Sequence, residues 1–60
     1  MKSNYLSLSE RIRSSKTEEQ VEKYVSLACK LQQLGLITNN QLMRLDQISV
    51  DKLIALEEQT

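Results

Sequence analysis

The side chains that most often perform catalysis are scarce in this sequence. It contains no His and only one Cys, Cys29. Without His the chain lacks the usual general acid or base near neutral pH, and one Cys forms neither an internal disulfide nor a Cys/His zinc site within one chain. Because Cys29 lies among Leu27, Ala28 and Leu31, we expect a buried, unreactive thiol in a reducing compartment.

The remaining potential nucleophiles and carboxylates lie at predicted helix ends, where capping and the helix dipole explain their presence. Ser and Thr residues stand at predicted helix starts, where their hydroxyls cap backbone N–H groups, and no base is present to activate one. The spacing of Asp46 and Asp51 does not by itself bring their carboxylates together. They would form a catalytic pair only if the fold placed them side by side. An acidic cluster fills the first turns of a predicted helix, where the helix dipole favours carboxylates: Glu18, Glu19 and Glu22. We therefore expect no enzymatic activity, catalytic residue, metal site, cofactor or small-molecule substrate.

Length and composition indicate one small domain over residues 1–60. Eight Lys and Arg balance eight Asp and Glu, so the net charge gives no simple reason to expect a nucleic acid or an anionic membrane as partner. The longest apolar runs are Leu27 to Cys29 and Leu34 to Ile37, too short for a membrane span or a signal peptide. We expect a cytoplasmic chain that does not bind membranes.

Charge is distributed unevenly along the chain. Residues 1–17 carry four cations, Lys2, Arg11, Arg13 and Lys16, against Glu10, whereas residues 18–60 carry seven acids against four bases. Two interpretations stay open. In the first, the basic and acidic parts attract each other within the fold or across a dimer. In the second, residues 1–16 form a mobile basic arm that binds the phosphate backbone of a nucleic acid.

The absence of Pro and the single Gly predict an all-α fold with a helical hairpin as its core. The clearest helix covers residues 18–34. Thr17 and Gln20 have the spacing of a capping box. Gly35 suits the left-handed C′ position that ends a helix, with Leu36 as the apolar contact that follows it. The apolar residues of this helix span an arc of roughly 220°, so it must pack against two elements at once.

Three further helices complete the prediction. The second hairpin helix covers residues 39–47, with Thr38 and Gln41 as a capping box and Ile37 packing on Leu42. An unbroken helix to residue 58 would scatter its apolar residues around most of the circumference, so we predict a break with Ser49 as the N-cap of a short helix over about 50–58. A short N-terminal helix over about 4–14 docks on the hairpin or belongs to the mobile arm. It begins near Ser3 or near Ser7.

The hairpin junction also resembles a known module. The pattern is helix, Gly, two aliphatic residues, capping Thr and second helix, carried by Ala28, Leu31, Leu34, Gly35, Leu36, Ile37, Thr38, Gln41 and Leu42. It resembles the short C-terminal domain found at the ends of many bacterial proteins, a small helical association module. This chain departs from that family in having Asn39 and Asn40 where acids are usual. The resemblance implies association and no reaction.

These features favour a non-enzymatic protein–protein interaction module. A core of this size is marginal alone, and the wide apolar arc suggests a homodimer that also contacts a larger protein. Such a chain suits a small regulator or adaptor of bacterial, plasmid or phage type. The residues predicted at the interface are Tyr24, Val25, Leu27, Ala28, Leu31, Leu34, Leu45 and Leu53.

The alternative is a small DNA-binding transcriptional regulator or nucleoid-associated protein. Residues 18–47 would act as a helix-turn-helix-like segment, assisted by the basic N-terminal segment. Asn, Gln and Arg side chains form bidentate contacts with base edges, although few cations are present to anchor phosphates. The predicted contacts are Arg11, Arg13, Lys16, Asn39, Asn40, Gln41 and Arg44.

Overall fold

Residues 3–59 of the protein form a bundle of three α-helices joined by short connections. The computed structural model describes residues 3–59, and within that range it contains no strand. The helices are α1 (Asn4–Ser14), α2 (Glu18–Gln33) and α3 (Asn39–Glu58). The predicted all-α fold is confirmed, as are the bounds of α1 and, to one residue, those of α2.

Each helix begins at a hydroxyl residue that accepts a hydrogen bond from the first turn. The Leu6 N–H donates to Ser3 Oγ at 3.1 Å, so α1 starts after Ser3 and not near Ser7. At α3 the predicted capping box is complete. The Gln41 N–H donates to Thr38 Oγ1 at 3.1 Å, and the Thr38 N–H donates to Gln41 Oε1 at 3.0 Å. These bonds satisfy N–H groups that have no acceptor within the helix.

At α2 the predicted capping box is only half formed. The Gln20 N–H donates to Thr17 Oγ1 at 3.2 Å, as expected. However, Gln20 Oε1 accepts from the Lys16 N–H at 2.8 Å, one residue before the predicted donor. The side chain of Gln20 therefore secures the connection from α1 as well as the first turn of α2.

The turn between α2 and α3 has the hydrogen bonds of a Schellman motif. Gly35 has a φ of 78°, its N–H donates to the Gln32 carbonyl at 3.0 Å, and the Leu36 N–H donates to the Leu31 carbonyl at 2.9 Å. A Cβ on Gly35 would contact nothing within 4 Å, so the left-handed backbone is what favours glycine here. The predicted end of the helix at Gly35 is confirmed.

The third helix lies between the other two and carries the centre of the core. It contacts α2 and α1 extensively, whereas α1 and α2 contact each other least. Residues 4–14, predicted either as a docked helix or as part of an arm, form a docked helix. The buried apolar side chains come from all three helices and from the turn before α3: Leu8, Ile12, Val21, Ala28, Ile37 and Leu45.

The predicted break at Ser49 is wrong, because α3 continues without interruption from Asn39 to Glu58. The predicted helices over 39–47 and 50–58 are one. Ser49 is 3% exposed, and its Oγ donates to the Asp46 carbonyl at 2.6 Å inside the helix instead of capping a new one. Since α3 packs against two helices, many of its apolar residues are covered over a wide arc, whereas Met43, Val50 and Ile54 stay exposed. A continuous helix therefore buries Leu45 and half-buries Leu42, Ile48, Leu53 and Leu56 without a break.

Buried serine hydroxyls are satisfied by the helices that carry them. Ser9 Oγ donates to the Leu6 carbonyl at 2.9 Å, and Ser15 Oγ donates to the Arg11 carbonyl at 2.8 Å, as Ser49 does to Asp46. Among residues 3–59, no buried side-chain nitrogen or oxygen lacks a partner. These serines therefore occupy the helix interfaces without the cost of an unpaired polar group.

Candidate functional site

The structure places the candidate catalytic groups apart. Asp46 and Asp51 lie five residues apart on α3, so their side chains leave the helix about 140° apart. Asp51 Oδ1 accepts a hydrogen bond from Gln47 Nε2 at 3.1 Å. Within residues 3–59, no group of three or more His, Cys, Asp or Glu is placed to hold a metal ion. None of the helices in this range combines the length and apolar character needed to cross a membrane.

Cys29 is exposed, contrary to the prediction of a buried thiol. Its neighbour Ala28 occupies the core position on α2. At 100° per residue, this turns the side chain of Cys29 away from the core and toward the edge of the α2–α3 interface. The apolar neighbours of Cys29 in the sequence are thus not its surroundings in the fold.

The predicted interface residues fall into three groups. Ala28 and Leu45 are buried in the core of the single chain, which accounts for their apolar character without a second subunit. Four others are half-buried and pack on that core: Tyr24, Val25, Leu31 and Leu53. Only Leu27 and Leu34 are left exposed, at 40% and 73% of their surface.

Leu27 and Leu34 form the first candidate surface, which we name the α2 leucine stripe. They lie seven residues apart, so they share one face of α2. Leu27 and Leu31 also line a shallow depression with Asn4, Ser7 and Arg11 of α1. The stripe thus continues the α1–α2 edge of the bundle, and both of its members belong to the predicted interface set.

The second candidate surface consists of two adjoining depressions between α2 and α3 that share Val25 and Asp46, and together we name them the α2–α3 groove. No residue of α1 lines it. Its rim includes Cys29 of α2 and two side chains of α3, Met43 and Val50, which are 64% and 43% exposed. Its remaining apolar lining comes from both helices: Val21, Val25, Ala28, Leu42, Leu45 and Leu53.

The charged residues that line the α2–α3 groove are acidic. Glu22 of α2 and Asp46 of α3 line its middle, where no Lys or Arg from residues 3–59 contributes to the lining. Toward the start of α2 the groove adjoins a depression lined by Lys16, Glu18 and Glu57. The groove therefore combines an apolar interior with carboxylates on both of its sides.

The predicted nucleic-acid contacts do not converge on one surface. Lys16 lies beside Leu53 and Gln59, near the end of α3, whereas Asn39, Asn40 and Arg44 belong to its first two turns. Arg44 and Leu53 alone are about 14 Å apart along the helix axis. Gln41 is half-buried, and its side chain accepts the capping hydrogen bond from Thr38. The exposed Arg11 and Arg13 lie in the last turn of α1.

Sequence reasoning missed the groove because each of its members also fits a simpler local role. Met43 and Val50 fit the apolar faces of predicted helices, and Glu22 fits the favourable end of a helix dipole. A signal does exist in the tight turn, because residues equally distant from Leu36 become neighbours in an antiparallel hairpin. Cys29 and Met43 each lie seven residues from Leu36, and Glu22 and Val50 each lie fourteen. That pairing places Cys29 beside Met43 and Glu22 beside Val50, and Asp46 lies between Met43 and Val50 on α3.

The resemblance of residues 28–42 to the short C-terminal domain stays a prediction carried by those residues alone. A scan against protein-family models, a search of curated proteins and a search of solved structures each find no match to this chain.

Proposed function

We propose that this chain is a non-enzymatic protein-interaction module, a small regulator or adaptor that forms a homodimer through the α2 leucine stripe and contacts a larger partner. The observation that supports dimerisation is the exposure of Leu34 and Leu27 on one face of α2. Burying a leucine side chain fully is worth roughly 1.5–3 kcal/mol. A domain of this size rarely draws more than about 3–5 kcal/mol from its own core, so association adds an appreciable share of stability.

The expected dimer is isologous, with both copies using the same stripe around a two-fold axis. A stable interface covers about 800 Å² on each partner, roughly a sixth of the 4576 Å² surface of this chain. Two leucines per copy fall short of that area. We therefore expect a weak dimer, whose population depends on protein concentration in the micromolar to millimolar range.

Substitution of Leu34 by Glu tests this dimer. Leu34 is the C-cap residue of α2 and is exposed, so Leu34→Glu should leave the helical circular dichroism intact while weakening association at least tenfold. Leu31 is less suitable, because it packs on the core and its replacement by a charged residue would also unfold the chain.

A matched control is Gln33→Glu. It adds the same charge at the same end of α2, but its side chain leaves the helix about 100° away from that of Leu34. Molar mass by light scattering, measured at several concentrations, should match the wild type for Gln33→Glu and stay at that of one chain for Leu34→Glu. If the two variants had the same molar mass at every concentration, the α2 leucine stripe would not be the dimer interface.

A further inference from the structure

The α2–α3 groove has the dimensions of a site for a helical segment. It runs along α3 at least from Met43 to Leu53, a length of about 15 Å or nearly three helical turns. Met43, Val50 and Cys29 are exposed along its rim. Two parallel ridges with an apolar interior match the way an amphipathic helix lays its apolar face into a groove.

The charges of the groove identify the kind of helix that it fits. Glu22 and Asp46 come from opposite sides and line the same stretch, and no cation of the described part of the chain lines that stretch. Complementary charge on a partner favours encounter and fixes orientation, so the occupant should carry Lys or Arg beside its apolar face. The same carboxylates disfavour a phosphate backbone or an anionic lipid surface, whose charge has the same sign.

A second copy of this chain offers one face of this kind, the α2 leucine stripe, because the exposed Lys23 and Lys30 lie on the same side of α2 as Leu27 and Leu34. The proposed dimer already covers that stripe, and seating it in the groove of another copy would be a heterologous contact, which builds rings or filaments instead of a two-fold dimer. The cations Arg11 and Arg13 belong to α1, whose apolar residues Leu8 and Ile12 are already buried in the core of their own chain. A second groove would bring acidic residues against acidic residues, because Glu22 and Asp46 are present in both copies.

We propose that the α2–α3 groove binds a basic amphipathic helix of another protein, with apolar residues at helical spacing flanked by Lys or Arg. This inference rests on the interaction role proposed above, and it names the chemistry of the partner. It does not depend on the dimer, because the α2 leucine stripe and the groove share no residue.

The probe for this site is a fluorescein-labelled peptide of about 15 residues made of Leu, Lys and Ala, with Leu on one helical face. Fluorescence anisotropy should show binding that weakens several-fold between about 50 mM and 200 mM salt, because screening acts on the flanking charges. Two control peptides should bind at least tenfold more weakly. One is a scramble that disperses the Leu residues around the helix, and the other has Glu in place of Lys.

Variants of the protein locate the binding. The double substitution Glu22→Gln and Asp46→Asn should raise the Kd roughly fivefold to tenfold. Its matched control is Asp51→Asn with Glu58→Gln, which removes the same charge from exposed positions of α3 that do not line the groove, and it should change the Kd by less than about twofold. Val50→Lys, at an exposed rim position, should abolish binding, because it replaces an apolar contact with a charge of the same sign as the peptide. Leu34→Glu should bind the peptide as the wild type does.

Four results would overturn the proposal. They are no peptide binding by the wild type, equal binding of the scrambled or the Glu peptide, equal Kd values for the two double variants, and loss of the dimer in Val50→Lys instead of Leu34→Glu. The last result would assign the groove to a second copy. A wild type that binds the peptide but stays monomeric at every concentration would contradict only the dimer, so the two proposals fail separately.

Discussion

Leu45→Ala should remove most of the free energy that keeps the chain folded. Leu45 is 1% exposed and lies on α3, the helix that packs against both of the others. Truncating a fully buried leucine to Ala costs about 2–5 kcal/mol, which is comparable to the about 3–5 kcal/mol that a core of this size supplies. We expect urea titration followed by circular dichroism at low protein concentration to show a largely unfolded chain at 25 °C.

The neighbouring Arg44→Ala serves as the control for this substitution. Arg44 is exposed, and Ala is the best helix former, so the free energy of unfolding should change by less than about 0.5 kcal/mol. If Leu45→Ala were as stable as Arg44→Ala, α3 would not carry the centre of the core.

Val50→Pro should destabilise the fold by about 3 kcal/mol or more. Val50 is the twelfth residue of α3. A proline there removes a backbone N–H donor and clashes with the carbonyl four residues earlier, which belongs to Asp46. Asp46 already accepts the buried Ser49 hydroxyl at that carbonyl, so the helix has little freedom to adjust.

The same substitution has a different effect if α3 is broken at Ser49. Position 50 would then be the first residue of a new helix, where proline is favoured, and Val50→Pro would be neutral. Val50→Ala, measured in parallel, accounts for the loss of the side chain alone. Equal urea midpoints for the Pro and Ala variants would contradict the continuous helix.

Local signals account for the parts of the fold that the sequence predicts correctly. Thr38 with Gln41, and Gly35 with Leu36, act through hydrogen bonds between residues a few positions apart, and all of these bonds form as expected. Such interactions do not depend on where the rest of the chain lies. They define where α2 ends and where α3 begins.

The predictions for Ser49 and Cys29 are wrong because the surroundings of both residues depend on tertiary packing. A serine before an apolar stretch has the same sequence signature whether it caps a helix or lies buried in the middle of one. Ser49 is buried because α1 and α2 both cover α3. Cys29 is exposed because Ala28, and not its own side chain, fills the contact with α3.

The candidate surfaces are predictable only in part for the same reason. Apolar periodicity identifies Leu27 and Leu34 as members of a wide apolar arc. It does not indicate which side of that arc stays exposed to solvent after the helices have packed. The α2–α3 groove depends on the register between two helices, which brings Glu22 and Asp46 to the same stretch. That register follows from the turn at Gly35, so a search for paired residues around the turn would have found it.

Self-association is tested most directly by the molar mass of the unmodified chain during size exclusion, measured by light scattering from about 10 µM to about 1 mM. One chain has a mass of 6.9 kDa. We expect the measured mass to rise with concentration toward twice that value, because the α2 leucine stripe becomes covered by a second copy. A mass that stays at 6.9 kDa over the whole range would contradict the proposed dimer.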